Sequence, residues 1–197
     1  GSEMCIRDRY RVKFQSELKV QSKSQLTNFE NIEDKFANVV SSEEYQQLVN
    51  LFQKHDEIYV VANGGLHYVA SHMATDISRL VESKHVHSFD SFGFITSSAN
   101  DFGFDSIFER WIRNCVPKDK KSLLLGLSCS GKSKNILNVF EYVKSLDWDV
   151  FLISGKCPTV EFPNINLNAQ HFHTVECICL MLFYEIVHSL GAECPVI

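Results

Sequence analysis

The sequence predicts an α/β fold, a three-layer α/β/α sandwich with a central parallel sheet. The first observation is that mostly apolar runs of about six residues recur at 57–62, 122–127 and 149–154, which is typical of strands buried on both faces. The second is that helical spacing of apolar residues follows the first two runs. The third is that these two runs end in glycine- and serine-rich turns. Strands and helices that alternate in this way form βαβ units.

The elements of the first half of the chain can be justified in order. Residues 10–40 carry apolar residues at loosely helical spacing. A helix begins at 41–44, where two serines can cap the first turn and two glutamates complement the helix dipole. The strand at 57–62 leads through a tight turn at 63–65 into another helix. The apolar positions of that helix are Val69, Met73, Ile77 and Leu80.

The second half continues the alternation and ends in a strongly apolar helix. In chain order, we expect a strand region at 86–96, a polar loop at 97–101, a helix around Phe108, the strand at 122–127, a helix with Ile136 and Val139 facing inward, the strand at 149–154, a short strand at 165–167 and a helix at 174–190. The last helix is apolar nearly all round, so it must be covered on more than one side. This predicts a homo-oligomer.

Composition excludes several classes of protein. With 19 Lys+Arg against 24 Asp+Glu the net charge is −5, which argues against a nucleic-acid partner. No run approaches the length of a transmembrane helix, so we expect no membrane partner. The start of the sequence lacks the apolar segment of a signal peptide, and the seven cysteines form no C-x-x-C pair. A reduced, cytoplasmic protein is the consistent interpretation.

The length of 197 residues suits one main domain. We divide the chain into an N-terminal helical arm at 1–40 and an α/β domain at 41–197. Within the arm, residues 1–9 show no periodic pattern and are expected to be disordered or non-native.

A serine-rich loop between a predicted strand and a predicted helix is the strongest functional motif. It spans 128–133, with the sequence Ser-Cys-Ser-Gly-Lys-Ser. Hydroxyls and backbone N–H groups at a helix N-terminus can surround an anion. Residues 126–133 also match the P-loop expression literally, but Gly126 lies inside the apolar strand and no Walker-B aspartate follows. The alternatives are therefore a phosphate cradle, a nucleotide P-loop and a plain serine cap.

Two further features lie at the other strand-to-helix turn. Asn63, Gly64 and Gly65 form a tight turn after a strand. Together with the serine loop, which also follows a strand, this turn favours a site for one phosphorylated ligand. His72 and Asp76 are four residues apart on the next helix and share a face. They could form a metal pair, a general-base site or a solvated polar surface.

Taken together, these segments resemble the sugar isomerase (SIS) domain family, and most of all its bacterial phosphoheptose isomerases. The resemblance rests on Ala-Asn-Gly-Gly at 62–65 with His72 and Asp76, on Asn-Asp-Phe-Gly-Phe at 100–104, and on the serine loop within 127–135. The order and spacing of these motifs hold from about residue 45 to 156. They hold more loosely to residue 190.

The resemblance implies a homotetramer that binds a phosphosugar at its subunit interfaces. In the family, sedoheptulose 7-phosphate becomes an aldose phosphate, while a glutamate and a histidine move protons through an enediol-type intermediate. Some members hold zinc with a histidine, that glutamate, a glutamine and the catalytic histidine. The substrate-binding and phosphate-binding positions carry over to Asn63, Gly64, Asp101, Ser128, Cys129, Ser130 and Ser133.

Several positions depart from the family pattern. The family's glutamate falls on Asp76, and its Gln-Glu-x-His segment falls on 175–178, where Val175 and Ile178 replace glutamine and histidine. Leu66 replaces a serine, and Cys129 replaces a threonine, so polar contacts are lost. The expected catalytic pair is Asp76 with His173; His171 or His72 is an alternative acid.

These departures set the functional expectation. With only His72 and Asp76 as weak metal candidates, no stoichiometric zinc is expected and no other cofactor is implied. We therefore expect phosphosugar binding with slow or no turnover of sedoheptulose 7-phosphate. The alternatives are an active ketose–aldose isomerase, a non-catalytic phosphosugar-binding module and a P-loop nucleotide protein.

Overall fold

A computed structural model describes residues 28–117, 120–156 and 160–196. The predicted arm at 1–40 is therefore described only from residue 28. Residues 1–9, with Cys5, and Cys157 lie outside the described residues.

The described residues form seven α-helices, five strands and one 3₁₀ turn. In chain order they are α1 (Ile32–Val40), α2 (Glu43–Lys54), β1 (Glu57–Ala62), α3 (Gly65–Leu80), β2 (His85–Ser88), α4 (Phe92–Phe102), the 3₁₀ turn (Phe104–Ser106), α5 (Ile107–Cys115), β3 (Leu123–Ser128), α6 (Lys134–Lys144), β4 (Asp149–Ser154), β5 (Asn164–Asn166) and α7 (Phe172–Ser189).

All five strands are parallel, in the order β2-β1-β3-β4-β5. In register, Val60 of β1 pairs with Ser88 of β2 on one side and Leu125 of β3 on the other. From β1 the chain first crosses to β2 and then returns to the opposite side of β1 for β3. The strand order thus reverses between β1 and β3. Ligands of open parallel sheets bind beyond the strand ends at such a reversal.

Side chains of the central strands alternate between two apolar cores. Ile58 and Val60 of β1 face a core shared with α2, α3 and α7. Tyr59 and Val61 face the opposite core, which α5 and α6 complete. Helices therefore cover both faces of the sheet, and the predicted three-layer α/β/α sandwich is confirmed.

The region after β2 differs from the prediction. A strand was expected at 86–96 and a polar loop at 97–101, but β2 ends at Ser88 and α4 covers Phe92–Phe102. The hydroxyl of Thr96 donates to the Phe92 carbonyl at 3.1 Å, and that of Ser97 donates to the Phe94 carbonyl at 3.2 Å. Polar side chains that bond back to the helix are satisfied within it. Their polarity was therefore not evidence for a loop.

The apolar helix α7 is covered within the same chain. Its buried residues belong to the core that α1, α2 and α3 share, and α3 makes the most extensive of these helix contacts. Since α1, α2, α3 and the sheet supply the cover, the apolarity of this helix does not by itself require a second copy of the chain. The homo-oligomer stays a prediction. In the described ranges no helix combines the length and apolarity needed to cross a membrane.

Candidate functional site

A cleft opens where the strand order reverses. The carboxyl ends of β1 and β3 and the first turns of α3 and α7 surround about 510 Å³ of space, a volume within the range of roughly 300–1,000 Å³ that ligand sites occupy. The lining residues are Asn63, Gly64, Gly65, Leu66, Leu127, Ser128, Cys129, Ser130, Ser133, Phe172 and Glu176. Six of the predicted binding positions are thus brought together.

The serine loop turns sharply at the end of β3. The N–H of Gly131 donates to both the carbonyl and the Oγ of Ser128, each at 3.1 Å. Gly131 has a φ of +66°, a left-handed conformation that favours glycine. The turn brings Ser133 back to Ser128, with 3.0 Å between their hydroxyl oxygens. The loop therefore gathers its hydroxyls around the start of α6.

The first turn of α6 leaves donors open beside these hydroxyls. Ser133 precedes the helix, yet its side chain makes no capping hydrogen bond. The N–H groups of Lys134 and Asn135 have no acceptor within the helix, because they belong to its first turn. Such donors and the positive end of the helix dipole attract an anion. The loop is therefore suited to phosphate, as the sequence predicted.

Cys129 adds no negative charge to the loop. Burial, followed by the negative charge of Glu176, raises the pKa of the Cys129 thiol to about 11. The thiol is therefore protonated at neutral pH. It is a weak hydrogen-bond donor rather than a nucleophile.

A pair of asparagines joins the two turns that border the cleft. The amide of Asn63 donates to Asn135 Oδ1 at 3.0 Å, and the amide of Asn135 donates back to Asn63 Oδ1 at 2.9 Å. Asn135 is buried. Sequence patterns predicted no role for Asn135, since nothing local to α6 indicates a partner more than seventy positions earlier in the chain.

Gly64 and Gly65 suit their positions for different reasons. Gly64 has φ +61° and ψ −133°, a backbone conformation that essentially only glycine adopts. At Gly65 the space is filled: a Cβ there would lie 2.7 Å from Cδ of Glu176 and still closer to Oε1. The Glu176 carboxylate therefore lies directly against the start of α3. Glu176 matches the glutamate of the family's Gln-Glu-x-His segment, but the sequence predicted no role for it.

Gly126 is the first glycine of the P-loop match at 126–133, and its presence has a structural reason that involves no nucleotide. It lies within β3, two residues before the strand ends. A Cβ at Gly126 would lie 2.6 Å from Cγ2 of Ile136 and 2.8 Å from Cζ of Phe140. The glycine therefore lets α6 pack closely on β3 and belongs to no phosphate loop. This finding removes the support for the P-loop alternative.

The sequence was compared with family models and with curated proteins. No family model matches the chain. The phosphoheptose isomerase of Histophilus somni is 28% identical over 184 residues, which are 86% of this chain and 91% of that protein. The chain is therefore similar in sequence to a phosphoheptose isomerase over most of its length. The resemblance to the SIS family that the sequence predicted is thereby confirmed.

Solved structures show the same fold. A phosphoheptose isomerase from Francisella tularensis superposes with a TM-score of 0.68 at 16% identity, over 95% of this chain and 99% of the other. The Vibrio vulnificus NanR protein complexed with ManNAc-6P superposes with a TM-score of 0.54 at 16% identity, over 93% of this chain and 63% of the other. The shared feature is the SIS fold.

Asp76 lies outside the cleft lining. It follows Gly65 by eleven residues, which is about 16 Å along the axis of α3. Asp76 Oδ1 accepts from Arg79 Nη2 at 3.1 Å, and Oδ2 accepts from the Tyr184 hydroxyl at 2.9 Å. Burial, followed by the hydrogen bond and charge of Asp76, raises the pKa of Tyr184. Tyr184 therefore stays protonated and remains the donor.

His72 and Asp76 do not fit a zinc site. His72 Nε2 lies 3.6 Å from Asp76 Oδ2 and 3.2 Å from the Tyr184 hydroxyl. Both oxygens of the carboxylate are already engaged, and Arg79 places a positive charge beside them. Among the described residues no group of three or more His, Cys, Asp or Glu side chains could hold a metal ion. Zinc in proteins usually needs three or four ligands.

His173 and Asp101 also lie outside the lining of the cleft. His173 Nε2 is 3.0 Å from the Asn28 carbonyl, and the ring is edge-on to Phe29 and stacked with His171. Asp101 lies in the last turn of α4 and accepts from the Asn100 amide at 2.8 Å. Their catalytic and binding roles stay predictions.

The carboxylate of Glu30 holds the segment before α1 against the start of α7. It accepts from the N–H groups of Gln170 and His171, and it pairs with the His171 ring. Burial alone would raise the pKa of Glu30, but these hydrogen bonds lower it to about 2. His171 is thus paired with Glu30 and does not line the cleft.

Proposed function

We propose that the cleft binds a phosphorylated sugar and that the chain is an SIS protein of the ketose–aldose isomerase type. The observation that carries this proposal is the serine loop: three serine hydroxyls and the open N–H groups of α6 meet at the strand-order reversal. The proposal includes no metal or other cofactor. The names of the relatives support it, as does the NanR structure with a bound phosphosugar.

The rest of the cleft suits the sugar part of such a ligand. Asn63 and Glu176 offer polar groups for hydroxyls, while Leu66, Leu127 and Phe172 supply apolar surface. Phe172 is 69% exposed, and a sugar packed against its ring would bury it. A pocket with apolar walls and a few placed polar groups is typical of small-molecule sites.

A non-catalytic phosphosugar-binding module is the second candidate. It is favoured by one observation: Asp76 and His173, the predicted acid/base pair, do not line the cleft. An assay of ketose–aldose interconversion distinguishes the two candidates, because both require binding and only the first requires turnover.

The first prediction tests the phosphate site directly. Combining Ser130→Ala with Ser133→Ala should weaken phosphosugar binding by about 1–3 kcal/mol, since hydrogen bonds to a charged group are lost. Isothermal titration calorimetry with ketose phosphates measures this loss. Ser97→Ala is the matched control, because Ser97 is exposed on α4 and bonds only to its own helix. Titration heats that are unchanged in the double variant would refute the phosphate site.

The second prediction concerns assembly, and we propose a homotetramer. Three large aromatic side chains are unusually exposed in the single chain: Tyr68 at 77%, Phe92 at 78% and Phe172 at 69%. Exposed apolar surface of this kind marks protein contacts, and Phe172 also lines the cleft. A neighbour that covers Phe172 would place the site at a subunit interface. Light scattering at micromolar concentration should give the mass of four chains, and a monomer would contradict the proposal.

We also propose that the protein works in the cytoplasm. The cysteines that the structure describes, Cys115, Cys129, Cys177, Cys179 and Cys194, are all free thiols. Free thiols are the rule in reducing compartments.

A further inference from the structure

We propose that Glu176 is the general base of the cleft, the group that carries a proton between the two reacting carbons of a ketose phosphate. The inference rests on the proposed function, since it needs a phosphosugar in the cleft. It assigns the acid/base role to a residue other than Asp76 and His173.

Position within the cleft is the first argument. Of the residues that line it, Glu176 is the one carboxylate, and Cys129 is the one other ionisable side chain. Burial and the charge of Glu176 keep the thiol of Cys129 protonated at neutral pH. The side chain available to remove a proton from a ligand bound there is therefore Glu176. A general base must lie within reach of the proton that it abstracts.

The orientation of Glu176 is fixed from two sides. Glu176 and Phe172 are four residues apart on α7 and share the helix face that borders the cleft. The neighbouring positions Val175 and Ile178 are buried in the core, so the helix cannot rotate Glu176 away without exposing them. On the other side the carboxylate rests against Gly65, where an added Cβ would displace it.

The Glu176 carboxylate is also available, in contrast to that of Asp76. Within the described residues no hydrogen bond or ion pair engages Glu176. Asp76 by comparison has one oxygen bonded to Arg79 and the other to Tyr184. Both oxygens of Asp76 therefore already have partners, whereas those of Glu176 are open to a ligand in the cleft.

Donors for the developing negative charge lie beside Glu176. The N–H groups of Gly65 and Leu66 open α3 and have no acceptor within the helix. When a base removes a proton next to a carbonyl, the charge collects on the carbonyl oxygen. Preorganised N–H donors and the helix dipole stabilise that charge.

The chemical step balances without a co-reactant. The Glu176 carboxylate takes a proton from C1 of the ketose. The electron pair of the broken C1–H bond forms the C1=C2 double bond, and the π pair of the C2=O2 bond moves to O2. The resulting enediolate gains a proton on O2 and loses the one on O1. The carboxylic acid returns its proton to C2, and C1–O1 becomes the aldehyde. The carbon-bound and oxygen-bound protons are thus redistributed with no net gain or loss.

The test compares turnover, proton exchange and binding in the full chain. The probes are ketose phosphates with five, six and seven carbons in heavy water, followed by NMR. Glu176→Gln should lower both turnover and C1 proton exchange by at least about 100-fold, the usual contribution of an acid/base group. Calorimetry should show that the variant still binds the ketose phosphates, since glutamine can hydrogen-bond to the same hydroxyls. Glu185→Gln, on the same helix and outside the cleft lining, is the matched control.

A second variant retains the whole Glu176 side chain but moves it. Gly65→Ala should displace the carboxylate and lower turnover, whereas Gly93→Ala should not, because a Cβ at Gly93 meets nothing within 4 Å. Loss of turnover in Asp76→Asn or His173→Gln but not in Glu176→Gln would overturn the proposal. So would wild-type protein that binds the ketose phosphates with neither turnover nor exchange, and in that case the binding function still stands. Absence of binding would overturn both.

Discussion

Gly126→Ala is expected to lower the free energy of unfolding by about 3 kcal/mol, near the upper end of the usual cost of overpacking. The added Cβ would lie 2.6 Å from Ile136 Cγ2 and 2.8 Å from Phe140 Cζ. Both side chains are fully buried on α6, so neither can move aside without a shift of the helix. Such a shift would also move the serine loop, because the loop runs directly into α6. Urea denaturation measures the stability loss.

Gly93→Ala provides the control for this substitution. Gly93 lies in the first turn of α4, where a Cβ meets nothing within 4 Å. Alanine there should stabilise the protein by about 0.4–1 kcal/mol, because it lowers the conformational entropy of the unfolded chain. Phe140→Leu in the Gly126→Ala background should recover part of the loss, since the clashing ring carbon is removed. Wild-type stability for Gly126→Ala would show that α6 does not pack on β3 as described.

Local patterns predicted most of the α/β sandwich. The strands at 57–62 and 149–154 match β1 and β4 residue for residue, because their apolar runs are bounded by charged or turn residues. The serine loop was equally recognisable, since the chemistry of anion binding lies in consecutive residues. Sequence reasoning failed at 89–101, where short apolar and polar stretches fit a strand and loop as well as a helix. There the Ser91 cap and the hydroxyls that bond back to the helix satisfy the polar groups of α4.

The candidate site was predicted only where it is local in sequence. Asn135 and Glu176 reach the cleft from α6 and α7, and their partners Asn63 and Gly65 lie on the turn after β1. No spacing rule connects positions so far apart. The spacing of His72 and Asp76 correctly indicated that they share a helix face. The bond between Asp76 and Tyr184, however, joins two different helices. The sequence therefore could not show that this carboxylate is already occupied.

Asn135→Leu is expected to weaken phosphosugar binding at least as much as the serine double variant does. Leucine has a similar volume but cannot form either amide bond with Asn63. Without these bonds the turn at 63–65 and the start of α6 are no longer joined, so both borders of the cleft are free to shift. Stability should also fall by about 1–3 kcal/mol, because the Asn63 amide loses its partner. Calorimetry and urea denaturation measure the two effects.

A double-mutant cycle shows whether the two asparagines act as one unit. Asn63→Leu should cause nearly the same losses as Asn135→Leu, and the double variant should lose little more than either alone. Residues in one hydrogen-bonded pair usually show a coupling of about 0.5–3 kcal/mol. Asn135→Asp should be intermediate in stability, since a carboxylate still accepts from the Asn63 amide but cannot donate in return. It should nevertheless bind phosphosugars poorly, because it places a negative charge beside the phosphate site. Strictly additive effects of the two leucine substitutions would show that the pair does not join the loops.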